Sequence, residues 1–233
     1  MKIGIYGGTF NPPHLGHLAA ARAALSALKL DKLLIVPAAD PPHKVLTPDS
    51  APPEDRLAMA RILADLLLDP RVECWDVELT RPGKSYTADT LRAAHDRWPE
   101  AELWLLVGTD MFLSLQDWHE PEVILSLAKV CAFGRGAADG EAFFAPQRER
   151  LARDYGAETV LLTIPDLVEV SSTEARAALA AGQGGACLPR SVYGYILRKK
   201  LYGTFADLSR LTMEELRCVS YSMVKAKRLA HIM

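Results

Sequence analysis

Two histidines three residues apart, His14 and His17, close the string Gly7-Gly8-Thr9-Phe10-Asn11-Pro12-Pro13-His14-Leu15-Gly16-His17, and a short apolar run over residues 3–6 precedes it. The pattern predicts a strand ending in a glycine turn and a helix opening on the histidines. A helix start offers backbone N–H groups and the positive end of the helix dipole, which suits an anion such as a nucleotide phosphate. Gly7 and Gly8 let the backbone turn tightly and approach a ligand closely. His14 and His17 share one helical face, so both can donate to one phosphate chain. A dinucleotide fingerprint is a different string, because Gly4, Gly7 and Gly8 do not follow G-x-G-x-x-G, and no Walker loop is present here. The bland alternative, a strand–helix turn with two surface histidines, requires the whole string to coincide by accident.

Other strings carry polar groups suited to the same task. In Val170-Ser171-Ser172-Thr173-Glu174-Ala175-Arg176, either serine can cap a following helix with Arg176 about one turn in. Taken alone this is a capping box and nothing more. Pro41-Pro42-His43-Lys44 places Lys44, a point charge suited to phosphate, on a loop stiffened by proline. In the next helix Arg56 reads equally well as a phosphate contact or as an ordinary surface arginine. Ser85-Tyr86-Thr87-Ala88-Asp89-Thr90 opens another helix, with Thr87 as the expected N-cap.

The elements that must position these groups alternate along the chain. Expected strands are residues 2–6, 33–37, 72–77, 103–107, 129–133 and 159–163, which read as continuous apolar segments, as strands buried on both faces should. Expected helices are 15–28, 54–68, 87–98, 110–127 with a break near Pro121, 146–155, 173–181 and 191–201. Such alternation predicts an α/β fold: a doubly wound, Rossmann-like parallel sheet with helices on both faces and right-handed crossovers. Ligands in such sheets bind beyond the carboxyl ends of the strands, where the strings above fall. Residues 134–140 and 182–185 are expected breaks, and the proline-rich stretch 37–53 a surface loop.

Composition limits the partners. Of 233 residues, 49% are hydrophobic and 24% charged, which is ordinary for a globular chain, and a net charge of −2 gives no general pull toward nucleic acid or an anionic membrane. No stretch is apolar enough to span a bilayer, and Met1-Lys2 leads straight into a core strand without a signal-peptide pattern. Cys74, Cys131, Cys187 and Cys218 are scattered, so reduced thiols, no metal site built from cysteine and a cytoplasmic location are expected.

With these residues in place, the chain resembles a known family. GGTFNPPHLGH is similar to the N-terminal motif of nucleotidyltransferases, in the FNP form found in nicotinate-nucleotide adenylyltransferases. Residues 170–176 resemble that family's (I/V)SST-x-x-R, 41–44 its PPHK, and 85–90 its SYT-x-DT. The resemblance implies attack by the phosphate of nicotinate mononucleotide on the α-phosphate of ATP, giving deamido-NAD and pyrophosphate. Such a transfer needs no protein nucleophile, only alignment and charge neutralisation. It implies His17, His14, Lys44 and Arg176 as the catalytic donors. Gly7, Gly8, Thr9, Phe10, Asn11, Gly108, Asp110, Ser171, Ser172 and Thr173 are implied to surround ATP. Tyr86, Thr87, Trp118 and Arg135 are implied to hold nicotinate mononucleotide, with Trp118 stacked on the pyridine ring. Mg²⁺ is expected on the ATP phosphates, with no metal cage built by the protein. The string Asp117-Trp118-His119-Glu120-Pro121 departs from the family's more basic stretch, and Arg135 lacks its usual proline neighbour.

The resemblance covers residues 1–203, expected to form one nucleotidyltransferase domain, with 204–233 a helical extension. Arg228-Leu229-Ala230-His231 resembles the start of an HD-type phosphohydrolase domain, a truncated remnant; the alternative is an ordinary terminal helix suited to dimer contact. Monomer and homodimer both stay open. So do two other functions. One is a sibling transferase acting on nicotinamide mononucleotide, phosphopantetheine or a choline-type phosphate. The other is a nucleotide-binding regulator without catalysis.

Overall fold

The computed structural model describes residues 1–42, 46–134, 140–164 and 170–204. Lys44, Arg135 and the expected extension beyond residue 204 lie outside them.

Six strands form one parallel sheet: β1 (Lys2–Gly8), β2 (Lys32–Pro37), β3 (Val72–Cys74), β4 (Glu102–Gly108), β5 (Ala128–Gly134) and β6 (Thr159–Thr163). Their order is β3-β2-β1-β4-β5-β6, the doubly wound arrangement, with β1 flanked by β2 and β4. Every expected strand is present. The third is shorter than expected, because after Cys74 the chain turns into a single helical turn, α3 (Val77–Thr80).

Period-two alternation divides the strand residues between two cores. Ile3, Ile5, Leu34, Val36, Leu103, Leu105, Val107 and Val130 face one side. There they meet α4 (Thr87–Arg97), α5 (Thr109–Leu113), α6 (Pro121–Leu127) and α7 (Glu141–Tyr155). Leu33, Ile35, Trp104, Leu106, Cys131 and Phe133 face the other, against α1 (Leu15–Ala27) and α2 (Pro53–Leu66). Each fully buried aliphatic or aromatic side chain adds about 1.5–3 kcal/mol of transfer free energy. A third cluster packs α8 (Ser172–Ala180) and α9 (Arg190–Lys199) on the outer flank of α2 through Met59, Ile62, Leu179, Val192 and Ile196.

α7 begins at Glu141 and carries Pro146 inside it, where the proline was expected to start the helix. The extra turn buries Phe144 fully, 5.6 Å from the Phe112 ring, and that packing outweighs the backbone hydrogen bond proline cannot donate. Tyr86, rather than Thr87, is the N-cap of α4. Among the described residues no helix is long and apolar enough to cross a membrane.

Candidate active site

At the topological switch point, the carboxyl ends of β1 and β4 open into a cleft of about 720 Å³. This is where doubly wound sheets place ligands. Gly7, Gly8, Thr9, Phe10, His14 and His17 line it from β1 and α1; Gly108 and Asp110 line it from β4 and α5. Tyr86, Thr87 and Trp118 line one further wall, and Ser171, Ser172 and Thr173 another. The strings at 7–17, 85–90 and 170–176, with Pro41 and Pro42, thus meet in one place.

The first string does its work differently from expectation. Gly7 and Gly8 are extended strand residues paired with Val36 and Pro37, not the turn itself. A β-carbon at Gly8 would sit 3.3 Å from the Phe10 ring, a tight contact, whereas at Gly7 it would meet only open space. The left-handed residue is Phe10, φ 48°, a conformation costing about 1–2 kcal/mol in a non-glycine residue. Ring packing holds it there, with Tyr6 at 5.8 Å and His17 at 5.1 Å.

His14 caps α1 and His17 occupies the third helical position, so their spacing is that of a capping pair. The His14 backbone N–H donates to His17 Nδ1 at 3.1 Å, and the two rings lie 3.7 Å apart. Because Nδ1 accepts, it carries no proton in this arrangement, and the neutral His17 ring is held as the tautomer that donates through Nε2.

The second string is both a capping box and a cleft wall. Ser171 Oγ accepts from the Glu174 N–H at 3.1 Å while the Glu174 carboxylate accepts from the Ser171 N–H at 2.7 Å. Ser172 Oγ donates to the Pro12 carbonyl at 3.0 Å, which draws the start of α8 against the first string.

Two expected site residues stand behind the cleft wall. Asn11 is 1% exposed: Nδ2 donates to Ser50 Oγ at 2.9 Å, and Oδ1 accepts from the Ala51 N–H at 3.0 Å and the Tyr202 hydroxyl at 2.8 Å. Arg176 Nη1 donates to the Asn11 carbonyl at 2.9 Å and the Ser172 carbonyl at 3.2 Å, and Nε pairs with Asp49 at 3.7 Å. Arg176 thereby joins the two strings from the rear.

Arg56 corrects an expectation. It is neither a surface residue nor in the cleft, but fully buried, donating to the carbonyls of Thr9, Ala38, Ala39 and Ala51. Its position was legible, since Arg56, Met59, Ala60 and Leu63 follow helical spacing and all are 0% exposed.

Sequence reasoning also missed Glu78, Ser85, Thr90 and His119, which line the cleft. Glu78 is 7% exposed, and burial raises its carboxyl above the usual range against the opposing hydrogen bonds from Thr90 and Ser85 and the charge of Arg81. His119 lies 4.1 Å from the Tyr86 ring. Beside it, Glu120 accepts two 2.8 Å bonds from Arg92, which ties the 118–120 segment to α4. That pair is part-exposed, so it orients the segment more than it stabilises the fold.

A glycine-strand-to-helix cleft carrying paired histidines, facing a second helix start, defines a nucleotidyltransferase. Residues 5–178 match the Cytidylyltransferase-like family model. The probable nicotinate-nucleotide adenylyltransferase of Gemmatimonas aurantiaca is 38% identical over 203 residues, covering 87% of this chain and 92% of that one. The corresponding protein of Thermus thermophilus is 39% identical, with 87% and 100% covered. Nicotinic acid mononucleotide adenylyltransferase of Plasmodium falciparum, complexed with NaAD, shares the fold at a TM-score of 0.72 and 19% identity, over 88% of this chain and 99% of that one. The chain belongs to the nicotinate-nucleotide adenylyltransferase family, within the cytidylyltransferase-like nucleotidyltransferases.

Proposed function

We propose that this enzyme transfers the adenylyl group of ATP to nicotinate mononucleotide, forming deamido-NAD and pyrophosphate, as a step of NAD biosynthesis. One observation carries the reading: the starts of α1 and α8 are drawn together by the Ser172–Pro12 bond, on the wall of the cleft that also holds Tyr86, Thr87 and Trp118. Two helix starts suit a triphosphate. An aromatic face suits a flat, electron-poor ring, and Trp118 is assigned to the pyridine.

An oxygen of the acceptor phosphate attacks the α-phosphorus, the bond to the bridging oxygen breaks, and pyrophosphate leaves. Alignment alone can supply about 7–11 kcal/mol of the barrier. His17 Nε2 is assigned to donate to the oxygens on which charge grows, with His14 beside it. Gly7, Gly8, Thr9 and Phe10 are assigned to the phosphate side, and Gly108 and Asp110 to the adenosine. Lys44 and Arg135 enter through the resemblance as further phosphate contacts. Asn11 and Arg176 serve that side from behind, by holding the two strings in register.

Among the described residues no cluster of three or more His, Cys, Asp or Glu side chains could hold a metal ion. A Mg²⁺ is assigned to the phosphate oxygens of ATP, as the resemblance implies. When bound there, it would neutralise charge on the phosphate oxygens.

The test is pyrophosphate release from ATP and Mg²⁺ with nicotinate mononucleotide, nicotinamide mononucleotide or phosphopantetheine as acceptor. Turnover fastest with the first is expected. Equal rates with the first two would remove the specificity, and no turnover with any would favour a regulator.

A further inference from the structure

At the base of the cleft, polar side chains that are given no part in the transfer (Arg56, Ser85, Glu78 and Thr90) join three of its loops. The chain leaves β2 through Ala38, Ala39 and Asp40, and in each trans peptide between them the carbonyl and the amide point to opposite sides, both carbonyls toward Arg56 and both amides toward Ser85. On the carbonyl side stands Arg56. It donates through Nη1 to Ala38 and to Thr9 (3.1 Å), and through Nη2 to Ala39 (2.8 Å). On the amide side stands Ser85. Its Oγ accepts the Ala39 N–H at 2.9 Å and the Asp40 N–H at 3.2 Å, while its own N–H donates to the Asp40 carbonyl at 2.9 Å.

A hydroxyl that accepts twice has its proton left to give, and against the burial that raises the pKa of the neighbouring Glu78 carboxyl, the Ser85 hydroxyl lowers it. The same carboxylate takes the Thr90 hydroxyl at 2.6 Å. Arg56, Glu78, Ser85 and Thr90 are 0%, 7%, 6% and 2% exposed, so the chain of bonds is screened from solvent along its length. Buried networks of this kind, with every member satisfied, make their segments rigid.

We propose that Ser85 and Glu78 are positioning residues that fix the spacing between the two halves of the cleft. Thr9, at one end of the network, belongs to the wall assigned to the triphosphate; Tyr86 and Thr87, at the other, belong to the wall assigned to the acceptor. The assignment of ligands to the walls rests on the adenylyl-transfer reading, whereas the network does not. In-line transfer needs the attacking oxygen about 3–3.5 Å from phosphorus, and a displacement of about 1 Å costs roughly 10²-fold. A clamp across the floor of the cleft sets that distance without touching the reacting atoms.

Ser85→Ala, Glu78→Gln and the double variant, each in the full chain, test this. Ser85→Ala is expected to lower kcat about 10- to 100-fold at saturating nicotinate mononucleotide, with the Kd for ATP alone within about threefold of wild type. Ser85→Thr, which keeps the hydroxyl, should recover most of the rate. Because Glu78 acts through Ser85, the double variant should be no slower than the slower single one. Unchanged kcat overturns the proposal. So does a loss confined to the acceptor KM, which would make Ser85 a direct contact, or losses that multiply in the double variant. Amide hydrogen exchange supplies a readout independent of turnover. Ala39 and Asp40 should exchange faster in Ser85→Ala than in wild type, and equal protection overturns the clamp even if every acceptor proves inactive. Inactive wild type with faster exchange in the variant would instead sink only the reading of the substrates.

Discussion

The front and the rear of residues 7–17 are built on opposite principles. At the front, Gly7 leaves space, and His14 and His17 present rings to the cleft. At the rear, Asn11 is tied to Ser50, Ala51, Arg176 and Tyr202, and the Thr9 carbonyl to Arg56. The front lines the cleft; the rear consumes its polar groups on the protein. A short motif is therefore two devices in one string. Substitutions at the two faces should fail in different ways, one losing catalysis and the other losing the fold.

The largest contrast is expected at Arg56. Arg56→Met removes the donor from four carbonyls, those of Ala38 and Ala51 buried and those of Thr9 and Ala39 half-buried, a buried one being worth about 1–3 kcal/mol when left unsatisfied, with partial relief by relaxation. Urea denaturation should show roughly 3–5 kcal/mol of lost stability, the range for breaking a buried charged network. A loss below about 1 kcal/mol would erase the distinction between the faces.

His17→Ala is the mirror case. Turnover should fall about 10²–10³-fold, the cost of removing one preorganised donor to developing charge. The Tm should move by no more than about 4 °C, corresponding to about 1 kcal/mol in a chain of this size. A larger fall in Tm would make His17 a structural residue.

Tyr202→Phe is smaller and sharpens the picture of the rear. It removes one hydrogen bond to Asn11 Oδ1, which keeps the Ala51 N–H, so a stability loss of about 0.5–1.5 kcal/mol is expected with kcat nearly unchanged. A collapse of kcat would show the rear tuning the chemistry directly.

The smallest effect is pH-dependent and concerns Glu78. Burial raises its carboxyl in the folded protein, so the folded state holds that proton more tightly than the unfolded chain does. Stability is then greatest below the ordinary glutamate pKa of about 4.3 and declines as pH rises through the raised value. Glu78→Gln lacks this dependence, so wild-type stability relative to the variant should drop as pH rises from about 4, followed by urea titration at each pH. A difference that grew with pH would reverse the assignment of desolvation as the dominant cause.

The sheet was readable because strands covered on both faces must be apolar throughout, and helices covered on one face must repeat at about 3.6 residues. The start of α7 was not, because Pro146 signals a beginning locally while the burial of Phe144 extends the helix past it. Which residues line the cleft was readable at His14, His17 and residues 171–173, polar groups gathered at helix starts. Arg56 lay open to a reading of α2's buried stripe, yet an arginine on such a stripe is easily taken for the solvent face.

Residue types and their local spacing determined by themselves that β1 runs into a helix opening on two imidazoles, and that strands and helices alternate around it. Those properties depend on neighbours within a few residues. Only the tertiary structure decided that Asn11 and Arg176 turn inward while His17 turns outward, and that Ser85 meets the amides of Ala39 and Asp40. Their orientation is set by partners far along the chain: Tyr202 lies 191 residues from Asn11, and Arg176 lies 165 from it. A polar side chain points where its hydrogen bonds are satisfied, and here folding alone brings those partners within reach.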